Sequence, residues 1–379
     1  VGRRPYIDWL RGVAVLIMVE AHLIDAWTRS PDRSEPAYRW AMFVGGFSAP
    51  LFLFLAGIAL ALASGSRERK GATFPEAAAV ARRRGWQILG LAFLFRLQSF
   101  AISGGVFPQT LLKVDILNVM GLGMLLAALL WARGRRLASR AAWLAAVAVL
   151  IVLATPIVRA MELPSWLPDP LAWYLQPAPD SGAFTLFPWI AFLLIGSAVG
   201  LWLDAAGSGI EERRVVVALA LAGPAVALAA TFLPSVYAGS PSWSASPSVF
   251  FMHLGVLMTA VPVAYAWRRR ASGWSPLREL GVASLFVYWI HVEMVYGIVS
   301  LPLHRALSFE QAMAAYAALC VFLYVLVQLK DKVARTLAPS HHRTLQFSTS
   351  NILLTFTMRL RSGTRGPSPS SSSMKCESV

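Results

Sequence analysis

WLRGVAVLIMVEAHLIDAW, residues 9–27, is long enough to cross the hydrocarbon of a bilayer, which takes about 20 residues as a helix, yet it carries Glu20, His22 and Asp25. An ionisable side chain costs about 2.5–3.5 kcal/mol at the centre of an inserted helix, so three of them in one span demand partners, a cavity or a purpose. The rest of the chain supports reading the stretch as a span. Of its 379 residues 57% are hydrophobic and 14% charged, with a mean hydropathy of +0.58. That much apolar surface cannot be hidden inside a water-soluble core, and lipid demands helices that pair all their own backbone groups.

Further apolar stretches predict spans at Ala41 to Ala63, Trp86 to Ile102, Val114 to Trp131, Ala141 to Val158, Ala183 to Leu203, Val215 to Leu233, Val249 to Trp267, Leu280 to Leu301 and Ala312 to Leu329. The expected fold is all-α, a polytopic bundle of about ten transmembrane helices. Arg3 and Arg4 before the first span raise the alternative of a signal peptide, against which stand its length and the lack of a small-residue cleavage site.

The formal net charge of +15 does not point to nucleic acid, because the basic residues sit in short clusters between apolar runs. Alternate loops hold them: Arg3 and Arg4; Arg67 to Lys70 with Arg82 to Arg84; Arg133 to Arg140; Arg213 and Arg214; Arg268 to Arg278; Lys330 to Arg335. Basic loops stay on the cytoplasmic side, so both termini are expected there, in the cell inner membrane. The Pro- and Trp-rich segment from Glu162 to Gly182 then becomes an external loop, long enough to help cover a substrate site. Residues 1–337 form the expected membrane domain, and 338–379, including GPSPSSSS, a disordered polar tail. Cys320 and Cys376 make neither a disulfide framework nor a metal-binding spacing, and no metal is expected.

The remaining intramembrane polar residues are Arg96, Asp115, Asn118, His253, Tyr288, His291 and Glu293. At about 1.5 Å rise per residue most fall in the outer half. His22 shares a face with Asp25, and Tyr288 with His291, which predicts one polar pocket opening outward. A membrane histidine can equally be a helix-to-helix hydrogen bonder, as for His253, and Asp8 with Arg11 can be a structural ion pair.

Four segments occur in order: RRPYIDWLRGVAVLIMVEAH (3–22), SAPLFLFLAGIALAL (48–62), ARRRGWQILGLAFLF (81–95) and KVDILNVMGLGMLL (113–126). Together with SLFVYWIHVEMVYG (284–297) they resemble the catalytic domain of the heparan-α-glucosaminide N-acetyltransferase family and, more loosely, bacterial membrane sugar O-acyltransferases. The resemblance implies transfer of acetyl from cytoplasmic acetyl-CoA to a sugar amine or hydroxyl at the opposite face. It implies His22 as general base, with Asp25 or Asp115 orienting the imidazole. Asn118, or Tyr288 with His291, would donate to the oxyanion. Arg11, Arg82, Arg83, Arg84 and Arg96 are the candidate contacts for the acetyl-CoA phosphates, although topology alone also accounts for the basic loops. One departure stands out. The lysosomal animal enzyme keeps its catalytic histidine in the loop after the first span, whereas Thr28 to Tyr38 contains none, so heparan glucosamine is not assigned as acceptor. Expected partners are the bilayer, a sugar or glycan acceptor and a second copy of the chain in a homodimer. The competing class is a transporter or exporter of a glycan, lipid or small anion, which should show inverted repeats and paired helix breaks; neither is visible. A non-catalytic scaffold would not need so many ionisable groups at one depth.

Overall fold

A computed structural model describes residues 4–102, 111–134, 136–177, 184–232, 246–271 and 273–337, and every long element among them is helical. In chain order these are α1 (Pro5–Trp27), α2 (Pro36–Gly45), α3 (Ser48–Glu68), α4 (Phe74–Ile102), α5 (Ile116–Trp131), α6 (Leu137–Ala160) and the short α7 (Asp169–Ala172). They continue with α8 (Trp189–Ala206), α9 (Ile210–Thr231), α10 (Pro247–Arg270), α11 (Pro276–Val282), α12 (Ser284–Tyr296) and α13 (Phe309–Leu337). Among the described residues six stretches are long and apolar enough to cross a membrane: Pro36–Glu68, Leu137–Ala160, Trp189–Ala206, Ile210–Thr231, Pro247–Arg270 and Phe309–Thr336. α1 and α4 match them in length but carry ionisable residues, and α5 has only 16 residues.

Between apolar helices in lipid there is no hydrophobic drive to associate, so close backbone approach at small residues does the work. Gly12 of α1 sits against the Leu277 carbonyl of α11, and Gly281 of α11 against the Asp8 carbonyl of α1. A Cβ on either glycine would lie 1.8 Å from that oxygen. The pairing of α3 with α8 repeats the device through Gly57 and Gly196, whose Cβ positions fall 2.1 and 2.0 Å from the Leu193 and Phe54 carbonyls. Gly85 faces Gly121 between α4 and α5, and Gly223 faces Gly255 between α9 and α10.

The expected ninth span, Leu280 to Leu301, is not one helix. Ala283 leaves helical geometry (φ −93°, ψ 14°) between α11 and α12, and a 3-10 stretch, Ile298–Leu303, follows α12. Gly281 and Ser284 flank the break, the kind of small-residue site at which helices kink. Beyond it α12 keeps company with α1: ten residues on from Gly12 is His22, ten on from Gly281 is His291, and these two side chains meet. Further along, the Trp27 indole donates to the Val295 carbonyl at 3.0 Å.

Where α1 ends, the chain is clamped to the segment before α13. Arg29 N donates to Leu307 O (2.8 Å), Leu307 N to Trp27 O (3.0 Å) and Arg305 N to Ala26 O (3.1 Å), with a parallel bridge between Thr28 and Leu307. Asp32 accepts from the Phe309 N–H at the start of α13 (3.0 Å) and from Arg29 (2.7 Å), a carboxylate at the positive end of a helix. The beginning of α1 is anchored elsewhere: buried Arg4 pairs with Glu212 and donates to the Leu203 and Gly207 carbonyls (2.5 and 2.6 Å) that end α8.

By compactness the chain divides after Gln328. The described part of the second unit, 329–337, is helical and holds a Lys330–Asp331 ion pair of 3.0 Å. The polar tail from 338 with Cys376, Arg135, residues 178–182 of the expected external loop and most of the uncharged loop 237–247 lie outside the described residues.

Gly281→Val should therefore force α1 from α11 and cost about 1–3 kcal/mol or more. Gly90→Ala on an open face of α4, where a Cβ meets nothing within 4 Å, should be neutral or gain up to about 1 kcal/mol. Melting of both variants in detergent checks this, and equal melting temperatures would contradict the contact.

Candidate active site

His22 Nδ1 lies 2.9 Å from His291 Nε2. His291, wholly buried, also places its Nδ1 3.0 Å from the Val287 carbonyl one turn earlier on α12. A carbonyl oxygen can only accept, so that nitrogen carries the proton and His291 Nε2, in the neutral ring, must accept. His22 Nδ1–H is then the donor. The consequence is that His22 Nε2 keeps its lone pair, and no hydrogen bond occupies it among the described residues. His22 is half-buried, five residues before the end of α1, between buried Ala21 and Leu23. The Tyr296 ring packs edge-on to it with centroids 5.7 Å apart.

Beside this pair lies a carboxylate centre. Asp115 is the N-cap of α5: its Oδ1 accepts from Leu117 N (2.8 Å), while Asn118 Oδ1 accepts from Asp115 N (3.0 Å), a reciprocal capping box. Its Oδ2 accepts from the Tyr288 hydroxyl (3.1 Å) and lies 3.3 Å from the Arg96 guanidinium. Tyr288 in turn packs against His291, with ring centroids 5.6 Å apart. Asn118 donates its Nδ2 to the Tyr174 hydroxyl at 3.1 Å. His22, His291, Asp115, Asn118 and Arg96, drawn from four helices, thus form one connected cluster.

Two expected contacts are not made. Asp25 does not reach the imidazole: its carboxylate is paired with Arg33, which loops back to donate to Tyr38 at 2.8 Å as well. The imidazole that Asp25 or Asp115 was expected to orient is held instead, at Nδ1, by His291. Tyr288 and His291 are likewise not open oxyanion donors, since the phenol proton goes to Asp115 and the His291 Nδ1 proton to Val287.

The arginines grouped as phosphate contacts also separate. Arg96 is the counter-ion of Asp115. Arg82 and Arg83 stand exposed near the start of α4, about 20 Å along the helix from Arg96, and no carboxylate pairs with them among the described residues. Arg84 is half-buried beside them. Arg11 lies 3.8 Å from Asp8 near the beginning of α1. A polar cavity of about 200 Å³ opens between the ends of α3, α5, α6 and α8, lined by Glu68, Trp131, Arg140 and Asp204. Asp115 starts α5 and Trp131 ends it, so the cavity and the histidine pair are about 24 Å apart along that helix. Its charges are matched internally, Arg140 with Glu68 at 3.4 Å and Arg69 with Asp204 at 2.5 Å.

The sequence reading missed Tyr174 and Arg33, both outside the spans, where no periodicity marks them. Glu293 joins Gln98 (3.2 Å), which accepts from Trp289 (2.8 Å). His253 stacks on Phe47 with centroids 4.6 Å apart and bonds the Val249 carbonyl of its own helix (2.8 Å).

Comparison with protein families matches residues 3–230 to the family described as heparan-alpha-glucosaminide N-acetyltransferase, catalytic. The match covers more than half of the chain, from the start of α1 into α9. The chain belongs to that family. Membership makes this N-acetyltransferase-family protein a membrane acyltransferase. The matched region carries His22, Arg96, Asp115, Asn118 and Tyr174; His291, which the fold sets against His22, lies beyond it. Comparison with curated proteins found no match.

Arg96→Ala leaves the mostly buried Asp115 charge without its cation and should destabilise by about 3 kcal/mol. Adding Asp115→Asn should return part of that loss. Melting of the single and double variants checks it; an Arg96→Ala protein that melts with the wild type would show that the pair carries no such weight.

Proposed function

We propose that the chain crosses the membrane ten times with both termini cytoplasmic and transfers acetyl from cytoplasmic acetyl-CoA to a sugar amine or hydroxyl at the extracytoplasmic face. The observation that carries the reading is the lone pair left on His22 Nε2 by the Val287–His291–His22 chain of hydrogen bonds. A neutral imidazole held in one tautomer by its other nitrogen is a general base in waiting.

In this reading the acceptor's N–H or O–H points at His22 Nε2. As the nucleophile attacks the thioester carbonyl, His22 takes its proton and the carbonyl oxygen becomes an oxyanion. Collapse breaks the C–S bond, and the proton on His22 passes to the departing sulfur, giving CoA thiol and the acetylated sugar. His291 holds the imidazole and receives no proton, because a second N–H on a wholly buried ring would be an uncompensated charge. Asn118 retains one amide N–H beyond that given to Tyr174, and this is the donor available to the oxyanion. Asp115, held by Leu117, Tyr288 and Arg96, supplies negative potential near the imidazolium without binding it.

Exposed Arg82 and Arg83, with Arg84, suit the anionic phosphates of acetyl-CoA, since guanidinium groups bind phosphate in bidentate fashion. They lie at the opposite end of α4 from Arg96, as a donor arriving from the cytoplasm requires. Arg11, paired with Asp8, and Arg96, paired with Asp115, are assigned to the fold and to the carboxylate centre.

His22→Ala should lower acetyl transfer from acetyl-CoA by roughly 10²- to 10⁴-fold in protein that still folds. His291→Ala should lose less, because it frees the ring without removing it. Purified protein in detergent or nanodiscs with radiolabelled acetyl-CoA provides the assay, and wild-type turnover by His22→Ala would refute the assignment.

A further inference from the structure

Between α6 and α8 the described chain from Glu162 to Pro177 lies as a strap across the end of the bundle that holds His22, and it is tied down rather than loose. Gln176 Nε2 donates to the Val158 and Met161 carbonyls at 2.7 Å each, and Leu186 N donates to Tyr174 O at 2.8 Å. Trp173 and Tyr174 pack their rings against the core. The strap therefore holds the Tyr174 hydroxyl in place over the capping box of α5.

The direction of its hydrogen bond is not free. Asn118 Oδ1 accepts from the backbone N–H of Asp115, which settles which end of the amide is oxygen, so Nδ2 faces Tyr174 and the phenol oxygen accepts. Of the two tyrosines at this centre, Tyr288 gives its proton to Asp115. Tyr174 gives its proton to no group among the described residues. That O–H belongs to the same connected cluster as the His22 lone pair, joined to it through Asn118, Asp115, Tyr288 and His291, and the two together are complementary to a molecule that offers both an acceptor oxygen and an N–H or O–H. A sugar carries that combination on neighbouring carbons.

We propose that Tyr174 is an acceptor-binding residue, its hydroxyl donating to a sugar oxygen next to the group that His22 deprotonates. This rests on the acetyl-transfer reading above and adds to it the strap as the source of acceptor recognition. Removing the proton donor while keeping the ring should weaken sugar binding and leave the donor side alone.

Tyr174→Phe tests it, with glucosamine as the acceptor probe and radiolabelled acetyl-CoA as donor, in full-length protein in nanodiscs. The expected result is a KM for glucosamine raised about tenfold, the scale of one hydrogen bond. The KM for acetyl-CoA should stay close to wild type, while the melting temperature should fall modestly because Asn118 loses its acceptor. Wild type turning over with glucosamine while Tyr174→Phe keeps the same sugar KM would overturn the inference alone. So would a fall in kcat or melting temperature without a selective rise in that KM, the signature of a structural role. A wild type that neither binds nor turns over acetyl-CoA, with glucosamine or without it, would instead sink the acetyl-transfer reading, and this inference with it.

Discussion

The contact of Gly12 with Gly281 decides where the chemistry can be. It brings two backbones close enough that any side chain on either residue would overlap a carbonyl, and so leaves α1 and α11 one register. Ten residues further along each segment, about 15 Å, that register sets His22 against His291 despite the break at Ala283. The clamp of Arg29, Arg305 and Leu307 ties the far end of α1 to the segment between α12 and α13. The histidine pair is held between two sets of backbone contacts, neither of which involves a catalytic group. Small residues in one place thus position ionisable ones in another, as membrane helices without a hydrophobic drive must arrange it.

Backbone groups also assign the protons. The Val287 carbonyl leaves His291 one tautomer, and the Asp115 N–H leaves Asn118 one amide orientation. From these two facts follow the donor role of His22 Nδ1, the acceptor role of the Tyr174 oxygen and the unclaimed lone pair on His22 Nε2. In a low-dielectric setting such an arrangement matters, because reorienting an unmatched polar group there is expensive. Catalytic groups organised before the substrate arrives need no rearrangement at the moment of reaction.

Much of this was legible in the sequence, and for a definite reason. Hydropathy reports a one-dimensional property, length of apolar chain, so the apolar stretches were found, but α4 begins twelve residues before the expected Trp86 and the breaks at Gly46–Phe47, between α2 and α3, and at Ala283 were missed. Polar residues at similar depth were also legible, since depth follows from position along a helix: His22, His291, Asp115 and Asn118 do meet. What could not be read was which polar group takes which. Asp25 shares a face with His22, but Arg33 returns from the loop to claim it. Arg96 lies on the same helix as Arg82 to Arg84, yet Asp115 starts a different helix beside it and holds it there. Tyr174 sits in a loop with no period at all. Pairings depend on segments distant in sequence, and no local pattern encodes them.

A carboxylate on His22 Nδ1 would make a stronger base, so its replacement by a neutral histidine calls for a physical account. Asp115 belongs to the same cluster and is committed on every side. Its Oδ1 caps α5, and its Oδ2 takes Tyr288 and Arg96. An ionised Asp–His pair in the resting site would need a cation nearby to offset the buried negative charge, and that cation would repel the imidazolium formed during transfer. Here the charges already cancel between Asp115 and Arg96. The histidine pair rests neutral, and one tyrosine ring separates it from the carboxylate. Positive charge arises on His22 only in transit.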